Sequence, residues 1–277
     1  MTYDELYSKI KEKQSYLCIG LDSDPARIPD CVRNEQYPIF AFNRAIIDAT
    51  AEYAVAFKPN TAFYEAEGVQ GWAQLEMTTS YLHDRYPDIF IIADAKRGDI
   101  GNTAKRYARA FFETLCCDAV TLAPYMGRDS VAPFLAYADK WSIVLALTSN
   151  TSSSDFETLR IAGNRQAEIE EQPLFEKVLS ETMKWGNKDN LMFVAGATKA
   201  DMFTRIRSIC PDNFLLVPGV GAQGGSVEEV SEKGINDHCG LLINSSRGII
   251  FADNSSSFAS KAASEAKKIA TSMKSFL

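Results

Sequence analysis

Asp94 and Lys96 stand two residues apart at the end of the apolar run Ile89-Phe-Ile-Ile-Ala-Asp94-Ala-Lys96, and Asp99 follows three residues later. Side chains two apart on a strand share a face, so Asp94 and Lys96 should point the same way. An acid–lysine–acid array at the mouth of a strand keeps the lysine protonated, because opposite charges nearby favour its charged form. Charges are rarely placed on the tip of a buried strand for stability alone. Other apolar runs end in the same manner: Asp22, Lys58 and Ser149 each close one. Singly, each has an ordinary explanation. Lys58 before Pro59 can snorkel, Asp22 in Asp-Ser-Asp-Pro can open a turn, and Ser149 can cap a loop. Their shared placement argues instead for one site.

A second constellation has the chemistry of anion binding. Val217-Pro218-Gly219-Val-Gly221-Ala-Gln223-Gly224-Gly225 contains a literal G-x-G-x-x-G. A dinucleotide fingerprint is the wrong reading, since the run comes late in the chain and the position about 20 residues on is Asn244, not an acid. Followed by Asn244-Ser-Ser246-Arg247-Gly248, it suits a phosphate site at the last two strands of a barrel, with Arg247 as a bidentate fork. The plainer alternative is that Gly219 and Gly221 merely permit a tight turn. The two histidines, His83 and His238, lie away from the strand tips, which leaves no material for a Ser-His-acid triad or a histidine zinc site. His83 reads as a helix-surface residue. A lysine between two carboxylates also competes with Mg²⁺ for their oxygens, so no metal site is expected.

The elements that must position these residues recur along the chain. Eight short β-rich runs begin at Ser15, Ala54, Ile89, Asp118, Ser142, Leu191, Phe214 and Gly240, spaced by about 32 residues, a comfortable βα repeat. Near-continuous apolar runs indicate strands covered on both faces. Helices are expected over 39–53, 103–115, 131–139, 174–185, 200–209 and 258–276; in the second, Ala104, Ala108, Phe111 and Leu115 keep helical spacing. The fold expected is a single (β/α)8 TIM barrel, one domain over residues 1–277, in preference to a doubly wound open sheet. The polar connection 150–172 lies on the active-site side and is a candidate lid, or simply a surface loop.

At 277 residues and 46% hydrophobic, the chain can bury a large core, and its net charge of −7 argues against nucleic acid or an anionic membrane as partner. No apolar run is long enough to span a membrane, and Met-Thr-Tyr-Asp-Glu-Leu lacks a signal-peptide layout. Six cysteines, including the adjacent Cys116 and Cys117, suit reduced thiols, and a cytoplasmic location is expected.

The chain resembles the orotidine 5′-phosphate decarboxylase family, in the branch marked by Asp94-Ala-Lys-Arg-Gly-Asp-Ile-Gly-Asn-Thr103. The Lys58-Pro59-Asn60 and Leu147-Thr-Ser149-Asn150 tips, the glycine loop from Pro218 and the Arg247 segment match as well. The Asp-x-Lys-x-x-Asp core also occurs in metal-dependent sugar-phosphate barrels, which are shorter. The resemblance implies cofactor-free loss of CO₂ from orotidine 5′-phosphate to give uridine 5′-phosphate, the last step of de novo pyrimidine synthesis. It implies that Lys96, Asp94, Asp99 and Lys58 are catalytic, with Lys96 the proton donor. Asp22 would hold ribose hydroxyls with Lys58, Ser149 would read the pyrimidine edge, and Gln223 and Arg247 would grip the phosphate, with Pro218 and Ser246 beside them. It further implies a homodimer in which Asp99, Ile100 and Thr103 act in the partner's site. A metal-dependent lyase and a non-catalytic phosphometabolite-binding protein are the alternatives.

Overall fold

The computed structural model describes residues 1–163, 171–221 and 224–277. Its strands are β1 (Leu17–Leu21), β2 (Ala54–Pro59), β3 (Phe90–Arg97), β4 (Ala119–Leu122), β5 (Trp141–Leu147), β6 (Arg160–Ile161), β7 (Gln172–Pro173), β8 (Leu191–Ala195), β9 (Leu215–Pro218) and β10 (Leu241–Ser245). All but β6 and β7 join one parallel sheet in the order β1-β10-β9-β8-β5-β4-β3-β2. That sheet closes, because β1 pairs with β10 on one side and β2 on the other. A closed barrel rather than an open doubly wound sheet is what the apolar runs predicted, and every expected strand is present. The strands β1, β2 and β8 are buried at every position, as a parallel sheet covered on both faces requires.

The helices depart more from expectation. Pro38–Thr50, Leu174–Thr182 and Phe258–Met273 lie where they were predicted. The predicted 103–115 helix is α-helical over Gly101–Arg109 and continues as a π turn, Ala110–Thr114. The segments 131–139 and 200–209 are only partly α-helical: Ala132–Leu135 and Phe203–Ile209, the latter entered through a 3-10 turn. Sequence periodicity does not reveal the eighteen-residue helix Gly68–Arg85. Its inward face is Gly71, Gln74, Leu75, Thr78, Thr79 and Leu82, so polar residues occupy the positions where periodicity looks for apolar ones. His83 lies exposed on this helix. A further helix, Tyr3–Lys13, covers the bottom of the barrel, where Tyr3 packs on Phe214 and Trp141, with ring centroids 5.1 and 6.4 Å apart. Its capping box, Thr2 with Glu5, is a readable start signal.

Of the candidate lid, the described part holds a 3-10 turn, Thr151–Asp155, and the antiparallel pair β6–β7, while residues 164–170 lie outside the described residues.

Candidate active site

The charged strand tip is built on a break in the sheet. Ala93 pairs with Val120 and Arg97 pairs with Leu122, so β3 uses four residues where β4 uses two. This bulge takes Asp94, Ala95 and Lys96 out of the pairing with β4 and re-aims their side chains, while Asp94 keeps a bridge to Asn60 on the β2 side. Lys96 sits at φ 46°, in the left-handed region, which costs a non-glycine residue roughly 1–2 kcal/mol. Thr121 on β4 holds the bulge in place. Its hydroxyl accepts from the Lys96 backbone N–H at 2.9 Å and donates to Asp94 Oδ1 at 3.0 Å.

Asp94 is the hub. Its Oδ2 accepts from Lys58 Nζ at 2.7 Å and its Oδ1 from Lys96 Nζ at 2.6 Å. Lys58 and Asp94 are buried, whereas the Lys96 side chain is 50% exposed and faces the opening. Burial by itself would raise the Asp94 pKa, but the two ammonium groups outweigh it and hold the carboxyl well below its usual range. Burial would likewise lower Lys58; the charges of Asp94 and Asp22 reverse this and push its ammonium above the ordinary lysine value. Beneath Lys58 the Cys18 thiol donates weakly to Asn244 Oδ1 at 3.6 Å, and burial raises its pKa to about 12, so it stays a neutral thiol. Asp22, just past β1, has a buried Oδ1 with no hydrogen-bond partner among the described residues.

Lys58, Asp94, Lys96, Ser149 and Pro218 line one cavity of about 490 Å³ at the C-terminal mouth of the barrel. That volume lies within the roughly 300–1,000 Å³ of small-molecule sites. Thr121, Phe156 and Glu157, which the sequence does not single out, line it too. The Glu157 carboxylate takes both the backbone N–H and the hydroxyl of Thr148 at 2.7 Å, fastening the 3-10 turn to the tip of β5. On the other side of that tip, Thr198 Oγ1 donates to the Ser149 carbonyl, and a Cβ on Gly196 would come within 2.6 Å of Ser149 backbone atoms. Ser149 is therefore held from two directions. Nothing in the sequence singles out Thr121 or Glu157.

The glycine loop follows β9, beside β10 through the pairing of Pro218 with Asn244. Gly219, Gly221 and Gly224 adopt φ of 101, 75 and 87°, which side-chain-bearing residues rarely tolerate. The N–H groups of Gly221, Gly224 and Gly225 all bond inside the turn. These three bonds shape the loop. Gln223 lies outside the described residues. Ser246 donates its hydroxyl to the Gly20 carbonyl at 3.0 Å and so stitches β10 to β1. Arg247 is exposed at the start of the short helix Arg247–Ile250 and is not among the residues lining the cavity.

Asp99, Ile100 and Thr103 also stand apart from the cavity. Asp99 accepts from the Ile100 N–H at 2.7 Å, and Ile100 is 47% exposed. Thr103 is exposed on the following helix. Tyr125 and Met126, on the neighbouring loop after β4, are exposed as well, at 93% and 49%.

The chemistry this arrangement offers is a fixed array of charges, two ammonium groups about one carboxylate, in a cavity of small-molecule size, with one of the ammonium groups half exposed. Comparison with known proteins points the same way. A family model described as orotidine 5′-phosphate decarboxylase / HUMPS family matches residues 15–262. Orotidine 5′-phosphate decarboxylase of Porphyromonas gingivalis is 58% identical over 266 residues, 96% of this chain and 94% of that protein. The Phocaeicola vulgatus protein of the same name is 54% identical over 277 residues, 100% of this chain and 99% of that one. Among solved structures, Leishmania donovani OMP decarboxylase superposes with a TM-score of 0.78 at 34% identity, covering 98% of this chain and 100% of that one. Leishmania donovani UMP synthase gives 0.80 at 36%, covering 98% of this chain but 57% of that one. With the match running from the first barrel strand into the C-terminal helix, and relatives more than half identical, the chain belongs to the orotidine 5′-phosphate decarboxylase / HUMPS family.

Proposed function

We propose that the chain decarboxylates orotidine 5′-phosphate to uridine 5′-phosphate and CO₂ without a cofactor, as a homodimer in the cytoplasm. The observation that carries this reading is the Lys58–Asp94–Lys96 array at the floor of the cavity, one carboxylate between two ammonium groups. The bond from the pyrimidine ring to its carboxylate breaks, CO₂ leaves, and the electron pair stays on a ring carbon that has no electron sink. Lys96 donates a proton to that carbon and regains one from water. Enzymes lower barriers by about 8–23 kcal/mol, and this reaction asks for the upper part of that range. Preorganised charge is the means available, since Lys58, Asp94 and the β3 bulge are set before substrate arrives. Asp94 stands beside the departing carboxylate, and Asp22 and Lys58 take ribose hydroxyls. Ser149 reads the pyrimidine edge, Pro218 and Ser246 frame the sugar-phosphate side, and Gln223 and Arg247 take the phosphate. Binding energy from that remote phosphate draws the Thr151–Asp155 turn over the cavity.

Asp99, Ile100 and Thr103 act in the partner's cavity. Their exposure away from their own cavity, next to the exposed Tyr125 and Met126, supports this. An Asp99 arriving from a partner would place a second carboxylate beside Lys96, whose own-chain ion-pair partner is Asp94. Lys96→Ala and Asp99→Ala dimers should each be nearly inactive in a spectrophotometric assay of orotidine phosphate loss. Mixing the two should restore one intact site per mixed dimer; no recovery would place both residues within one chain. A metal-dependent sugar-phosphate lyase fits less well, because both Asp94 oxygens are engaged by Lys58, Lys96 and Thr121. Turnover should accordingly survive EDTA. The six free thiols suit a reducing compartment.

A further inference from the structure

Behind Asp22 lies a buried polar network with no part in the bond-breaking chemistry. Ser23 Oγ donates to Asn43 Oδ1 at 2.5 Å. The Asn43 amide nitrogen donates to the Tyr64 hydroxyl at 2.9 Å and to Thr78 Oγ1 at 3.0 Å. The Tyr64 hydroxyl donates to the Leu21 carbonyl at 3.3 Å, and the Thr78 hydroxyl donates to the Gln74 carbonyl at 2.7 Å. Ser23, Asn43, Tyr64 and Thr78 are all 0% exposed. The proton assignments close on themselves. A carbonyl can only accept, so Tyr64 and Thr78 must donate away from Asn43, which leaves Asn43 to donate to both and to accept from Ser23. A saturated buried network of this kind is rigid and tolerates no rearrangement that would orphan a member.

Its two near ends are Leu21 and Ser23, the residues on either side of Asp22. The chain is thus held immediately before and immediately after Asp22, whose Oδ1 is buried without a partner among the described residues. We infer that Asn43 and Tyr64 are positioning residues that fix Asp22 for its hydrogen bond to a ribose hydroxyl of the substrate. This rests on the proposed ribose contact of Asp22. Neither residue touches the substrate. They act from helices Pro38–Thr50 and Ala62–Glu65, through the backbone and the Ser23 side chain at the tip of β1.

The test is a double-mutant cycle on the full-length enzyme, with KM and kcat for orotidine 5′-phosphate as the readout. Tyr64→Phe keeps the ring in the core and removes the bond to Leu21 and one acceptor of Asn43. It should raise KM about tenfold, the scale of one hydrogen bond to a charged group, and leave kcat within about twofold. Ser23→Ala, which deletes a single hydroxyl, should move KM the same way and by less. In an Asp22→Ala background Tyr64→Phe should raise KM no further, although its cost in melting temperature should persist. An equal KM penalty in both backgrounds, or none in either, overturns the inference and leaves the network a purely structural one. If Asp22→Ala alone left KM unchanged, the ribose role of Asp22 would be what failed.

Discussion

At the level of single side chains, Lys58 and Asp94 hold each other's charge. A depressed carboxyl contributes stability that is complete above its unfolded pKa of about 3.9 and is lost as pH falls through the lower folded value. A raised lysine contributes stability that is complete below about 10.4 and is lost as pH climbs through the higher folded value. From about pH 5 to pH 9 neither group changes state, so a kcat profile over that window should show no inflection owed to this pair. An inflection in that window that disappeared when Lys58 or Asp94 was replaced would contradict the shift direction of the group replaced. Replacing Asp94 by Asn should be severe. It removes the hub of the array and takes the ion-pair partner from the buried Lys58 ammonium, and breaking a buried pair in this way typically costs about 3–5 kcal/mol of stability. Asp94→Asn should therefore lose activity and melt markedly lower, while Lys96→Ala, at the half-exposed end, should lose activity with little change in melting temperature. Equal stability of the two variants would show that burial does not separate their roles.

At the level of elements, the β3 bulge converts an ordinary barrel strand into a catalytic platform. A regular strand would place Asp94 and Lys96 on one face, as the i, i+2 spacing implies. The bulge and the left-handed Lys96 are what bring the two within 2.6 Å above the mouth. Thr121 alone bridges the bulge to both charged residues among the described hydrogen bonds. Thr121→Val keeps the shape, removes both bonds and leaves the Lys96 N–H without its partner. It should lower kcat by about 10²-fold, the scale expected when a catalytic group shifts by about 1 Å. Stability should fall by only about 1–3 kcal/mol. A drop in stability with kcat intact would assign Thr121 to the fold and not to the site.

At the scale of the whole molecule, Ile100 beside Asp99, and Tyr125 and Met126 on the adjacent loop after β4, are exposed outside the cavity of their own chain. Large exposed apolar side chains on two adjacent loops suit an interaction surface, and the homodimer is the partner proposed for it. Ile100→Glu should weaken self-association, so that specific activity falls on dilution while far-ultraviolet circular dichroism is unchanged. Specific activity independent of protein concentration, together with a monomeric mass in sedimentation, would remove the partner from the mechanism.

Strand number, strand position and the charged tips were legible in the sequence, because parallel strands buried on both faces must be continuous apolar runs and their polar ends stand out. The family was legible as well, in the residues from Asp94 to Thr103. Helix Gly68–Arg85 was not, since Gly71, Gln74, Thr78 and Thr79 share its buried face with only two leucines, Thr78 giving its side chain to the Asn43 network. Nor could composition show that the loop glycines turn their N–H groups inward or that Ser246 stitches β10 to β1. Glu157 beneath Thr148 and Thr121 beneath the bulge were equally hidden. Each of these depends on which groups meet across elements distant in the chain. Local sequence determines which residues can form a strand or a turn; which polar atoms finish opposite one another is decided only when the barrel closes and every buried donor must find an acceptor.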